Sequence, residues 1–250
     1  MNYDELKNQW LEAEAAEFHG WDFSSLEGRC ETEPLPWDYK LLILQYIKKT
    51  DQLLDLGTGG GEFLLSLDHP PHLTSITESY PPNVALAQSR LSPLGIEVRQ
   101  IFEDSHIPYE DHRFDLVLSR HESYDPKEVR RVLRPGGIFI TQQVGGCNNV
   151  SLSERLIDGY QPPFPKVQLD LFREALVNNG FQLLYSDEYF PISRYHDIGA
   201  VIYLAKVLEW EFPGFSVEKC FTKLCRLYED WIKTGYIETR EHRFINIARS

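Results

Sequence analysis

The sequence predicts a doubly wound α/β fold on three observations. An apolar run, Leu53 to Leu56, stops at Gly57-Thr58-Gly59-Gly60-Gly61, and apolar residues resume at helical spacing from Phe63. That pattern reads as buried strand, tight turn and helix. Further short apolar segments at 73–77, 96–102 and 114–118 alternate with helical patterns, as in parallel βαβ units. A second glycine turn, Gly136-Gly137, leads into one more apolar run, Ile138-Phe139-Ile140.

Glycine lacks a Cβ, so the backbone at 57–61 can approach a ligand closely, with the N–H groups opening the next helix turned toward it. A dinucleotide fingerprint needs G-x-G-x-x-G, and Glu62 stands where its third glycine belongs. An acid there repels a pyrophosphate and suits a ligand without phosphate. Asp55, Gly57, Gly59 and Gly61 instead match D-x-G-x-G-x-G position for position. On these residues the chain resembles the class I S-adenosylmethionine (SAM)-dependent methyltransferases of the type 11-like kind. The loop alone also fits a structural turn in another α/β protein, so the remaining motifs decide.

Taken in order, residues 3–19 form a helical pattern with Leu6, Trp10, Leu11 and Phe18 near one face. A turn-rich, aromatic segment follows, from Gly20-Trp21-Asp22-Phe23 to Tyr39, expected as an ordered loop that either packs on the core or covers a cofactor. Residues 38–49 give an apolar helix leading into the first strand. The second strand ends at Glu78, at the distance where Rossmann-like folds place a carboxylate that accepts ribose hydroxyls. Pro81-Pro82 starts a helix with Val84, Leu86, Ala87 and Leu91 inward.

The third strand stops at Glu103-Asp104, and the segment from there to Val117 resembles the family's D-A-x-x-L-P-F…F-D-x-V. The resemblance places the adenine at this corner, with Glu103 on the acidic position and Asp104 on that of a small residue. A one-residue shift exchanges the two acids, so both are carried. The fourth strand runs into Ser119-Arg120-His121-Glu122-Ser123-Tyr124, without the N-P-P-Y or D-P-P-Y of enzymes that methylate amino groups of adenine or glutamine. Asp125-Pro126 caps the next helix, and Leu133-Arg134-Pro135-Gly136-Gly137 resembles the family's L-K-P-G-G turn.

Beyond residue 145 the resemblance fades. The amides of Gln142, Gln143, Asn148 and Asn149 either orient a polar substrate or satisfy loop backbone. An amphipathic helix at 166–179 is closed by Gly180, strand six covers 181–185, and helices span 197–210 and 216–234, the last with Val217, Phe221, Leu224, Tyr228 and Trp231 on one stripe. Residues 242–249 supply a last, antiparallel strand seven.

The formal charge is −13, from 38 acids against 25 lysines and arginines, and no basic run appears. Proteins that hold nucleic acid usually display basic surface, so the composition argues against RNA or DNA as partner. The four cysteines show no C-x-x-C spacing, and neither a disulfide framework nor a metal site is expected. No apolar run approaches the roughly 18 residues of a membrane span, and the first residues lack a signal-peptide pattern. A cytoplasmic location is expected.

The resemblance implies a seven-stranded, mostly parallel, Rossmann-like sheet with an inserted helical lid. The expected divisions are an N-terminal helix and covering loop at 1–37, a SAM-binding core at 38–189, the lid at 190–236 and the final strand at 237–250. The expected cofactor residues are Asp55, Gly57, Thr58, Gly59, Gly61, Glu78, Ser79, Glu103, Asp104, Ser105, Ser119 and Arg120. SAM is the implied cofactor and S-adenosylhomocysteine (SAH) the implied product. His121 is the candidate base, with Tyr39, Tyr195 and His196 as rim candidates, although a histidine in such a loop serves backbone or cofactor packing equally well. The expected function is methyl transfer to a small organic acceptor. An RNA or protein methyltransferase and a non-catalytic SAM or SAH binder stay open. Acceptor identity and oligomeric state are not legible.

Overall fold

The computed structural model describes residues 3–16 and 24–250; Phe18 and the run Gly20 to Phe23 lie outside the described residues. In chain order the elements are α1 (Tyr3–Ala15), β1 (Cys30–Thr32), α2 (Tyr39–Tyr46), β2 (Leu53–Leu56), α3 (Glu62–Ser66), β3 (Thr74–Glu78), α4 (Pro81–Leu91), β4 (Glu97–Gln100) and β5 (Phe114–Arg120). There follow α5 (Pro126–Val132), β6 (Leu133–Val144), α6 (Val150–Leu156), α7 (Leu169–Asn178), β7 (Gln182–Tyr189), β8 (Ile192–Tyr195), α8 (Ile198–Val207), α9 (Val217–Thr234), β9 (Ile237–Arg240) and β10 (Arg243–Arg249). No helix among the described residues is long and apolar enough to cross a membrane.

The chain divides into two compact units. A sheet unit comprises Pro36–Val144, Val167–Glu188 and Arg243–Ser250. Its seven strands run in the order β4-β3-β2-β5-β6-β10-β7. β2 pairs in parallel with both β3 and β5, β3 with β4, and β5 with β6, whereas β10 is antiparallel to β6. Every residue of β2 is buried, as a central strand covered on both faces requires. Leu54, Leu56, Val117, Phe139 and Ala248 join Val129, Val132 and Leu176 from the helices in one core. β3 and β5 flank β2 on opposite sides, so the order reverses there and a crevice opens at the carboxyl ends of these strands.

A helical unit is assembled from Met1–Leu35, Gly145–Lys166 and Tyr189–His242. Here β1, β8 and β9 form a small antiparallel sheet. Trp10 of α1, Leu152 and Leu156 of α6, Val201 and Leu204 of α8 and Leu224 and Leu227 of α9 share its core. The segments expected separately at 1–37 and 190–236 thus build one core, and residues 145–166 belong to it. The reason is α8, whose buried residues surround the helix axis, so that it needs apolar neighbours on all sides. The antiparallel strand expected at 242–249 is β10, paired with β6, whereas the start of the expected 237–250 segment is β9, which pairs with β8.

Candidate functional site

The glycine loop closes β2 onto β3 through its backbone. Gly57 N donates to Thr77 O at 3.0 Å, and Gly59 N donates to Glu78 Oε2 at 2.8 Å. Gly57, Gly59 and Gly61 all adopt positive φ, at 66°, 61° and 82°. A Cβ built on Gly59 meets nothing within 4 Å, so this side of the loop faces open space. The helix that follows is only five residues long, so its dipole adds little to the site. Glu62 at its start pairs with Arg90 of α4, and its carboxylate lies against Gly60 of the loop.

Carboxylates converge on this loop from successive strand ends. Glu78 ends β3 and is 4% exposed. Its Oε1 accepts from Ser79 N at 2.9 Å and Tyr80 N at 3.1 Å, so three backbone donors hold the group. Asp55 in β2 is 6% exposed and accepts from the Thr58 hydroxyl at 2.7 Å. Burial, opposed by that hydrogen bond and by Arg120 and assisted by Glu78, pushes the Asp55 carboxyl up to about 6. Asp104 lines a narrow cleft together with Leu56, Gly57, Thr77, Ile101 and Glu122. Glu103 is exposed, so the structure brings Asp104, not Glu103, to the cleft.

Glu122 went unrecognised in the sequence. His121 before it takes φ of 63°, a left-handed turn uncommon without glycine. The Ser119 hydroxyl and Gln143 Nε2 each donate to Glu122 O at 2.9 Å and hold the turn. The Glu122 side chain then lies on Gly57: a Cβ at that glycine would stand 2.6 Å from Glu122 Oε2. Burial, Glu78 and Asp104 push its carboxyl up to about 7. No spacing rule marks this residue, because its place depends on the turn and on three other strand ends.

Several other expected residues make contacts within the chain or lie exposed. Ser119 is fully buried and serves the Glu122 turn. Ser79 and Ser105 are exposed, and Arg120 stacks over the Phe63 ring at 4.3 Å. Tyr39 is buried and donates to the carbonyls of Ser119 and Ile140, so it ties strands together and is no rim residue. Tyr195 lies in the core of the helical unit, where His196 N donates to Arg29 O. The amides of 142–149 satisfy protein partners: Gln143 serves Ser119 and Glu122, while Asn148 and Asn149 donate to Glu211.

His121 is held by a relay. The indole of Trp37, a donor only, gives its hydrogen to Gln142 Oε1 at 2.8 Å. That orients the Gln142 amide nitrogen toward His121 Nε2, 3.1 Å away. The imidazole accordingly accepts at Nε2 and carries its proton on Nδ1. Crowding by protein atoms, with Arg243 and Arg120 nearby, holds its pKa below the ordinary histidine value. The residue is neutral at pH 7, with no free basic nitrogen.

The strand order and the loop at the reversal point define the class: this is the fold of the class I SAM-dependent methyltransferases. Within it, residues 54–141 match the methyltransferase domain family. The "Probable methyltransferase ltbC" of Aspergillus luteorubrus is 33% identical over 120 residues, 40% of this chain and 42% of that protein. The "Probable phthiotriol/phenolphthiotriol dimycocerosates methyltransferase 2" of Mycobacterium ulcerans is 30% identical over 102 residues, 38% of this chain and 39% of the other. The chain thus spans about two-fifths of the length of these curated relatives. A solved "putative methyltransferase" from Bacillus halodurans C-125 superposes with TM-score 0.55 at 16% identity, over 85% of this chain and 98% of that one, which bears on fold alone.

Proposed function

We propose that the protein transfers a methyl group from SAM, bound at the carboxyl ends of β2, β3 and β4, to a small organic acceptor. One observation carries this reading: Asp55, Glu78, Asp104 and Glu122 gather around a glycine loop whose open side is free of side chains. Such a cluster opposes phosphate and favours a cationic ligand rich in hydroxyl and amine donors. The cleft fits an adenosyl group in its chemistry. Leu56, Ile101 and Ile107 give it apolar walls, and the buried Thr77 hydroxyl that lines it has no hydrogen-bond partner among the described residues.

When bound, SAM supplies an electrophilic methyl carbon on a sulfonium. The chain's own groups orient and enclose. Glu78, already surrounded by backbone donors, accepts ribose hydroxyls; Asp104 and Thr77 face the base; Gly59 admits the ligand along the loop. His121, locked as the Nδ1–H tautomer by Gln142, positions and does not abstract a proton. Transfer in line to a nucleophile needs orientation and exclusion of water more than a dedicated base. The net charge of −13 supports a small acceptor over RNA.

Calorimetry with SAM and SAH tests the cofactor site, and a labelled-methyl screen of metabolite pools, RNA and protein tests the acceptor. Absence of binding by both ligands defeats the reading. Label incorporated into RNA or protein alone defeats its small-acceptor part, and binding without incorporation into any pool leaves a non-catalytic binder.

A further inference from the structure

Glu122 is placed with more care than a loop residue on a cofactor's border requires. A left-handed turn at His121 and two donors to the Glu122 carbonyl fold its side chain back onto Gly57, where only glycine leaves room. From there its carboxyl faces Glu78 at the end of β3 and Asp104 after β4. Asp55 of β2 stands behind Glu78, and the cations of this quarter, Arg120 and Arg243, act on Asp55 and His121. Three carboxylates thus confront one another on the ligand side of the loop.

We infer that Glu122 is a specificity-determining residue of the cofactor site, its carboxylate selecting the positively charged sulfonium donor over the neutral thioether product. The inference rests on the reading of this cleft as a SAM site. SAM and SAH share the adenosyl group, the amino group and the carboxylate, and differ by one methyl and one positive charge. An anion confined beside two others gains from that charge, and the gain vanishes when the methyl leaves. Because burial and the neighbouring acids hold the free carboxyl near neutrality, the selection is proton-linked. Binding the sulfonium lowers the pKa of Glu122 and releases its proton to solvent; binding the thioether does not. Preference for SAM therefore rises as pH climbs toward and past about 7 and fades below it.

The test is isothermal calorimetry with SAM and with SAH at pH 6, 7 and 8, each in two buffers of different ionisation heat so that released protons are counted. In the natural protein the SAM:SAH affinity ratio is expected to rise roughly fivefold across this range, for a shift of about one pKa unit. SAM binding should release more protons than SAH binding near pH 7. Glu122→Gln should lower the ratio and flatten its pH dependence, and Glu122→Asp, which keeps the charge, should restore the slope. Retention of the sloping ratio in Glu122→Gln overturns the inference, as does a flat ratio in the natural protein when both ligands bind. Equal proton release by SAM and SAH in the unmodified chain overturns the inference even if a variant fails to fold. Failure of both ligands to bind overturns the cofactor reading itself, a different result.

Discussion

Glu78 shows how one side chain serves the folded chain and a ligand in turn. Gly59 N ties the glycine loop to it, Ser79 N and Tyr80 N hold its other oxygen, and the same oxygens are the natural acceptors for a ribose. Glu78→Ala should weaken SAM binding by about 1.5–3 kcal/mol, the range for hydrogen bonds to a charged group; unchanged affinity in a calorimetric titration would refute the assignment. Gly59→Val has space for its side chain but forces a β-branched residue to φ of 61°, so it should cost more than about 1 kcal/mol of stability and abolish measurable binding.

Asp55 yields a pH prediction. Its carboxyl is raised in the folded state to about 6 from 3.8, so the folded chain holds a proton that the unfolded chain gives up. The resulting penalty is absent below the unfolded value, grows as pH rises between the two, and is complete above the folded one, on the order of 3 kcal/mol. Asp55→Asn should therefore gain stability relative to the natural protein between pH 4 and pH 7 in denaturant titrations. A constant difference across that range would refute it. For His121, removal of a true base costs 10²–10⁴-fold in rate, so a tautomer-locked positioning residue predicts that His121→Gln loses less than about tenfold in kcat once an acceptor is known.

Residues whose role follows from local spacing were readable in advance: Asp55 and the glycines by their interval, Glu78 by its place at a strand end. Asp104 was readable only as one of a pair, since a loop's register is set by packing. Glu122 was not readable, because its direction depends on a left-handed residue that sequence does not announce and on packing against Gly57, and its electrostatics depend on acids at two other strand ends.

At the scale of elements, long periodic segments were legible and short ones were not. The amphipathic pattern of α9 identified it, with Ser216 as N-cap and Gly235 in a left-handed C-cap. Strands β1, β8 and β9, of three or four residues, carry too little alternation to stand out from loop, and α6 has only about two turns of signal. α8 was foreseen as a helix, but not as the centre of a core. Its N-cap Asp197 accepts from Ala200 N at 2.8 Å and holds Arg29 through both oxygens. Asp197→Ala should cost about 1–2 kcal/mol in chemical denaturation, chiefly from the lost cap because the ion pair is part-exposed. Leu224→Ala, at a fully buried position, should cost about 2–5 kcal/mol.

For the whole molecule, the class of fold was readable because βαβ alternation and two glycine turns constrain topology strongly, and the observed strand order agrees. The division into two cores was not, since each unit gathers segments from separate parts of the chain. The acidic balance makes a prediction at this scale. Gel-shift titration with RNA at physiological salt should show no retained complex, and a tight, strongly salt-dependent one would restore the nucleic-acid reading.

The position of β10 bears on how the chain matures. This strand, later in sequence than every other, is seated between β6 and β7 rather than at a margin. Until it emerges from the ribosome, β6 and β7 present unpaired backbone to each other across a gap one strand wide. The large sheet is therefore closed only once β10 has been made, and until then the nascent chain carries an open seam that chaperones or neighbouring chains can enter.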